Sequence, residues 1–169
     1  MKKLYLIRHA KSDWTHSDVL LDIDRPLNTR GVRDSYTMSA RLKARKASPN
    51  IILSSNGVRA LHTSIIFSKE LEIKADNIKI IEDLFHCSPE EILNQINENK
   101  NGVEVMFLFA HNPGIEDFAN RINVAFEKVP TCSILEFSVK SKPFKKLEFK
   151  DFSLIDFDYP KKYSRQIGM

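Results

Sequence analysis

Arg8 and His9 stand side by side directly behind the apolar run Leu4-Tyr5-Leu6-Ile7. The same residue types recur far along the chain as Arg59 and His111, each close behind another short apolar run. Arg25 lies between them in a polar stretch. An arginine presents a planar fork of donors that matches phosphate or carboxylate oxygens. A histidine beside it can serve as base, metal ligand or nucleophile. What these residues do together depends on whether the fold carries them to one place.

Residues 3–8 read as a buried parallel strand that ends abruptly in Arg8-His9. The polar segment from Ser12 to Pro26 reads as a long loop, and such loops are often functional. Asn28 is a plausible cap for a helix from about Thr29 to Lys46, with Val32, Tyr36, Ala40 and Leu42 as its apolar face. Ile51-Ile52-Leu53 is a second strand, followed by the turn Ser54-Ser55-Asn56-Gly57. A helix from about Val58 to Glu70 carries Arg59 in its first turn and turns Leu61, Ile65 and Ile66 inward. Residues 78–81 form a third strand. Ser88-Pro89-Glu90-Glu91 then combines a serine cap, proline at the first position and acids in the first turn of a helix. Val103 to Ala110 is the most apolar strand and runs straight into His111-Asn112-Pro113-Gly114. A helix follows from about Ile115 to Phe126. Residues 133–139 and 146–152 are close enough to pair as an antiparallel hairpin, and the polar tail from Asp156 reads as loosely ordered.

This order predicts an α/β three-layer sandwich, with a mostly parallel central sheet and a C-terminal antiparallel hairpin. In a parallel sheet, the ends that carry Arg8-His9, Arg59 and His111 share one edge, where ligands of open α/β sheets bind. Two arginines, two histidines and helix amides at that edge describe a phosphate pocket. A neutral imidazole there can attack phosphorus and divide one displacement into two. The arginines, and the second histidine if protonated, would stabilise charge on the equatorial oxygens. Metal binding is the competing use. The chain has no His-Glu-x-x-His element, and arginines would repel a cation.

The totals fit this picture. A chain of 169 residues suits one domain, here residues 1–169, with a sizeable core. Apolar content of 42% and charged content of 28% are those of an ordinary globular protein. A net charge of +4 is compatible with anionic ligands but too small to argue for nucleic acid. No signal peptide or membrane segment is expected. Cys87 and Cys132 give no disulfide or metal pattern and read as small buried apolar residues. A cytoplasmic setting is the expected one.

The motifs Leu6-Ile7-Arg8-His9-Ala10-Lys11-Ser12, Asp24-Arg25-Pro26-Leu27 with Arg30-Gly31, Ser54-Ser55 with Arg59-Ala60 and Thr63, and Ala110-His111-Asn112-Pro113 occur in that order. Together they resemble the histidine phosphatase superfamily, in its small bacterial phosphohistidine phosphatase (SixA-like) branch. The resemblance implies a phosphoglycerate mutase-like fold and a phosphohistidine intermediate. It implies no metal and no cofactor. By it, His9 is the nucleophile, Arg8 and Arg59 hold the phosphoryl group, and His111 helps stabilise the transition state. Arg25 faces the phosphate, and Ser12 adds a hydroxyl contact. Ala10 stands where the superfamily usually has glycine. Larger members supply a general acid after the third strand, where Glu82 and Asp83 lie; Glu82 is the candidate here. The expected substrate is a phosphohistidine-bearing protein of the phosphorelay kind. The alternatives are a small phosphomonoester or a non-catalytic phosphate-binding module.

Other residues have plainer readings. Arg25 could simply pair with Asp22 or Asp24. His62 lies one helical turn from Arg59 and could border the pocket, though a surface or partly buried position is the simpler reading. His86 reads equally well as structural or as lining the substrate entrance. His16 reads as solvated loop, and Phe107 and Phe109 as core.

Overall fold

Alternation along the strands fixes the layers. On β1 (Lys3–Arg8), Leu4 and Leu6 point to one face of the sheet, and Tyr5 and Ile7 to the other. On β4 (Val105–Ala110), Met106, Leu108 and Ala110 join the first set, and Phe107 and Phe109 the second. Both faces of both strands are apolar, so each face must be covered. The covering helices are α1 (Thr29–Ala44) and α2 (Val58–Glu70) on the side of Phe107 and Phe109. On the other side are α3 (Pro89–Asn99) and α4 (Gly114–Arg121), through Ile92, Ile96, Ile115 and Phe118. The computed structural model describes residues 1–15, 18–140 and 145–163, so His16 lies outside the described residues.

β2 (Ile51–Ser55), β3 (Ile78–Ile81), β5 (Ile134–Val139) and β6 (Phe152–Asp158) complete one six-stranded sheet in the order β3-β2-β4-β1-β5-β6. The pairings β3–β2, β2–β4 and β4–β1 are parallel, and β1–β5 and β5–β6 are antiparallel. β1 and β4 are therefore neighbours near the middle, and the carboxyl ends of β1, β2 and β4 meet at one edge.

Local chemistry sets the helix ends. Asn28 accepts the Gly31 amide at 2.8 Å and starts α1. Ser88 and Glu91 cap each other's backbone at the start of α3. α4 is shorter than its sequence suggests. It stops at Arg121 because Asn123 takes a left-handed conformation (φ 61°), as asparagine readily does at a helix end.

Four expectations are corrected. The inward face of α1 is Gly31, Ser35, Met38, Ser39 and Leu42, while Tyr36 and Ala40 are exposed. Ser35 and Ser39 can face the core because their hydroxyls donate to the carbonyls of Gly31 and Ser35, each at 2.8 Å. On α2 the inward residues include Ile66 and Phe67, whereas Ile65 is 48% exposed. The last strand begins at Phe152, because residues 149–151 form a turn closed by mutual capping of Glu148 and Asp151. The stretch Asp156–Asp158 is part of β6, and its carboxylates meet Arg41, Arg45 and Lys162.

Candidate active site

The register of β1 on β4 brings the two key histidines together. Arg8 pairs with Ala110, so His9 and His111 each follow immediately after paired residues. The His9 amide donates to the carbonyl of Ala110 at 3.2 Å, and the two imidazole centroids lie 4.9 Å apart. β2 ends beside them in Ser55, and α2 brings in Arg59 one turn later.

His9 is buried, and its ring is held at both nitrogens. Nδ1 lies 2.7 Å from the carbonyl oxygen of Ala10. A carbonyl only accepts, so Nδ1 carries the proton and Nε2 keeps its lone pair. Consistently, Nε of Arg59 donates to that Nε2 at 3.3 Å. Burial first, and then Arg59, Arg8 and Arg25, push the His9 pKa down to about 3, against an opposing bond to Ala10. His9 is therefore a neutral imidazole whose unprotonated nitrogen is aimed among guanidinium groups.

His111 is also kept neutral. Burial, then His9 and Arg59, push its pKa down to about 2. Its Nε2 lies 2.8 Å from the Ser55 hydroxyl, which already accepts the Gly57 amide at 3.2 Å. The hydroxyl hydrogen is thus available to Nε2, and in that arrangement the ring proton sits on Nδ1. A side chain on Gly57 would come within 3.1 Å of both His111 and Phe85, so glycine permits this approach.

A cavity of about 250 Å³ opens over these residues, lined among others by Arg8, His9, Ser12, Arg25, Arg59 and His111. The structure thus gathers every pocket residue expected from the sequence except Glu82. Ser12 is buried beside Leu27 through an isolated antiparallel bridge. Nη1 of Arg8 donates to the carbonyl of Val129, which fixes the arginine from below. Arg8 Nε, Arg25 Nη1 and His111 Nδ1 are buried donors with no hydrogen-bond partner among the described residues. Buried donors are nearly always satisfied, so three orphans around one cavity call for an acceptor-rich anion.

Glu82 is corrected as the site carboxylate. It is exposed in a short turn behind β3, an edge strand, and does not line the cavity. The cavity carboxylate is instead Asp22, from a turn within the long loop. It joins Arg25 and Arg59, so Arg25 both pairs with Asp22 and faces the cavity. Trp14 and His86 also line the opening, and the Arg25 guanidinium lies 3.5 Å over the Trp14 ring. His62 is exposed and outside the lining. Asp22 could have been suspected only from its place three residues before Arg25. Among the described residues, no three His, Cys, Asp or Glu side chains cluster as metal ligands would.

Comparison with known proteins bears on the family and the fold. The family model "Histidine phosphatase superfamily (branch 1)" matches residues 4–129. An uncharacterized chloroplastic protein of Arabidopsis thaliana is 27% identical over 78% of the chain, and the match spans 64% of that protein's length. The solved structure of the protein histidine phosphatase SixA complexed with tungstate superposes with a TM-score of 0.79 at 18% identity, covering 94% of this chain and 97% of that one. A mutant phosphoserine phosphatase from Entamoeba histolytica, in complex with phosphoserine, gives 0.66 at 15% identity, covering 95% and 98%.

Proposed function

The chain belongs to the histidine phosphatase superfamily, branch 1, and on that premise we propose that it hydrolyses phosphohistidine on a protein through a phosphoenzyme on His9. One observation carries the mechanism: His9 is tied through Nδ1 to Ala10, so its Nε2 lone pair faces Arg59 and the cavity. In the first step Nε2 attacks phosphorus, and the bond to the leaving atom breaks. In the second, water attacks phosphorus, the P–Nε2 bond breaks, and inorganic phosphate departs. Arg8, Arg59 and Arg25 take the phosphoryl oxygens, and charge spread over those oxygens is stabilised most in the transition state. His111 donates from Nδ1 as a neutral ring, rather than as the cation that the sequence leaves open. Ser12 adds a hydroxyl contact. Residues 1–169 act as one domain in this reading. A cytoplasmic setting is part of it and is compatible with the buried free thiols of Cys87 and Cys132.

The protein-borne substrate is favoured by an open mouth. Trp14 is 59% exposed, and the side chains of His86 and Asp22 are 60% and 41% exposed. A phosphorylated side chain presented from a folded surface can enter from that side. A cavity of about 250 Å³ also admits a small phosphomonoester, and this is the second reading. Comparing turnover of a phosphohistidine protein, p-nitrophenyl phosphate and sugar phosphates, with a chelator present throughout, separates the two. The proposal expects kcat/KM highest for the phosphohistidine protein. A clear preference for a sugar phosphate would move the assignment to the second reading, and binding without turnover to a non-catalytic module.

A further inference from the structure

The Asp22 carboxylate occupies the arginines that a phosphoryl group needs. Its Oδ1 accepts from Arg25 Nε at 2.8 Å and pairs with Arg25 Nη2 at 2.7 Å. Its Oδ2 accepts from Arg59 Nη2 at 2.9 Å, and its backbone carbonyl accepts from Arg59 Nη1. The same Oδ2 lies 3.3 Å from Nε2 of His86. His86 is held in a left-handed conformation (φ 54°), uncommon for a residue with a side chain, and its ring packs on Phe85 with centroids 4.1 Å apart. This imidazole thus stands at the mouth and shares Oδ2 of the carboxylate with Arg59.

We propose that Asp22 is the proton donor to the leaving atom, released from Arg25 and Arg59 by the incoming phosphoryl dianion and kept at the mouth by His86. The proposal rests on the phosphatase reading above. In the free protein burial acts to raise the Asp22 pKa, but bonds and charge from Arg59 and Arg25 outweigh it, and the carboxyl is held below the usual carboxylate range. Phosphoryl oxygens that take those guanidiniums remove the cause and set negative charge beside the carboxyl, which favours the protonated form. The other charged or titratable groups lining the cavity are Arg8, His9, Lys11 and His111. As His9 Nε2 attacks, the P–N bond to the substrate imidazole breaks with its electron pair on nitrogen. That nitrogen takes the Asp22 proton and leaves as a neutral ring, and Asp22 becomes a carboxylate. When water attacks the phosphoenzyme, Asp22 accepts its proton, and the P–Nε2 electron pair returns to His9.

The test is the Asp22→Asn variant assayed on aryl phosphates from p-nitrophenyl to phenyl, with inorganic phosphate as inhibitor. General acid catalysis contributes about 10²–10⁴-fold. The loss in kcat/KM should therefore reach about 100-fold for phenyl phosphate, whose leaving oxygen needs a proton, and stay under about 10-fold for p-nitrophenyl phosphate. The high-pH limb of kcat should disappear in the variant. Inorganic phosphate should inhibit it about fivefold more tightly, as expected for removal of a competing ion pair. Asp22→Glu, which keeps a carboxyl, should recover part of the phenyl phosphate rate, and thermal melting establishes that both variants fold. An equal loss across the series, or unchanged inhibition by phosphate, overturns the proposal and leaves the phosphatase reading standing. A wild-type protein inactive on the whole series and on a phosphohistidine protein overturns both; one active on the phosphohistidine protein alone is tested there, where unchanged turnover by Asp22→Asn overturns the proposal.

Discussion

Nε of Arg59 donates to Nε2 of His9 across 3.3 Å, so the nitrogen that would attack phosphorus is aimed by one of the groups that would hold the phosphate. The contact ties the orientation of the nucleophile to the anion site and helps to keep the imidazole unprotonated. Its consequences extend from catalysis to the acid stability of the fold.

His9 and His111 resist protonation in the folded protein, with pKa values near 3 and 2, but titrate near 6.5 once unfolded. As the pH falls below about 6.5, the unfolded chain takes up protons that the folded protein refuses. Stability should therefore drop on acidification, by about 1.4 kcal/mol per pH unit for each histidine. The loss levels off only near the folded values. Melting temperatures measured from pH 7 to 4 should decline, and the decline should be shallower in His111→Gln. An unchanged slope in that variant would contradict the neutral-ring assignment.

Ser55→Ala removes the hydroxyl 2.8 Å from His111 Nε2. A buried ring nitrogen then loses its partner, at a cost of about 1–3 kcal/mol. The ring is also free to exchange tautomers, so kcat on p-nitrophenyl phosphate should fall about tenfold or more, by analogy with loss of a transition-state donor. A variant with lower melting temperature and intact kcat would show that His111 does not act through Nδ1.

Trp14→Ala takes away the ring lying 3.5 Å from the Arg25 guanidinium. An exposed contact of this kind is worth about 0.5–1 kcal/mol. KM should rise about two- to fivefold with little change in kcat, because Arg25 loses its support but keeps Asp22. Steady-state kinetics on one aryl phosphate decides the point. A fall in kcat with constant KM would assign Trp14 a different role.

Gly31→Ala tests how the long loop is anchored to α1. A Cβ at this position would lie 2.1 Å from the carbonyl oxygen of Lys11, and backbone cannot yield cheaply. Overpacking of this kind costs about 1–3 kcal/mol. It should also displace Ser12, so activity should fall together with melting temperature. Retention of both would mean that the loop is less closely anchored there than the structure shows.

Much of this arrangement is legible in the sequence, for identifiable reasons. The apolar runs that end in Arg8-His9 and His111 read as strands because both faces of β1 and β4 are buried. The cap residues Asn28 and Ser88 mark their helix starts directly. The inward face of α1 is hidden because Ser35 and Ser39 satisfy their hydroxyls within the helix and so pass as surface residues. β6 is hidden because its carboxylates depend on Arg41 and Arg45, more than a hundred positions away. Asp22 is missed for the same kind of reason: a carboxylate in a polar loop becomes a site residue only when the fold brings Arg59 against it. Glu82, which follows a strand as expected, is left outside because its short turn faces solvent, and the chain reaches the cavity only at His86.

The central claim is that His9 carries the phosphoryl group in the reaction. Incubate the protein with a phosphodonor, quench, and locate the bound phosphate by mass spectrometry after testing its lability. The expected result is acid-labile, base-stable phosphate on His9, approaching one per chain and absent from His9→Ala. Stoichiometric phosphate on another residue, or full turnover by His9→Ala, would contradict the account.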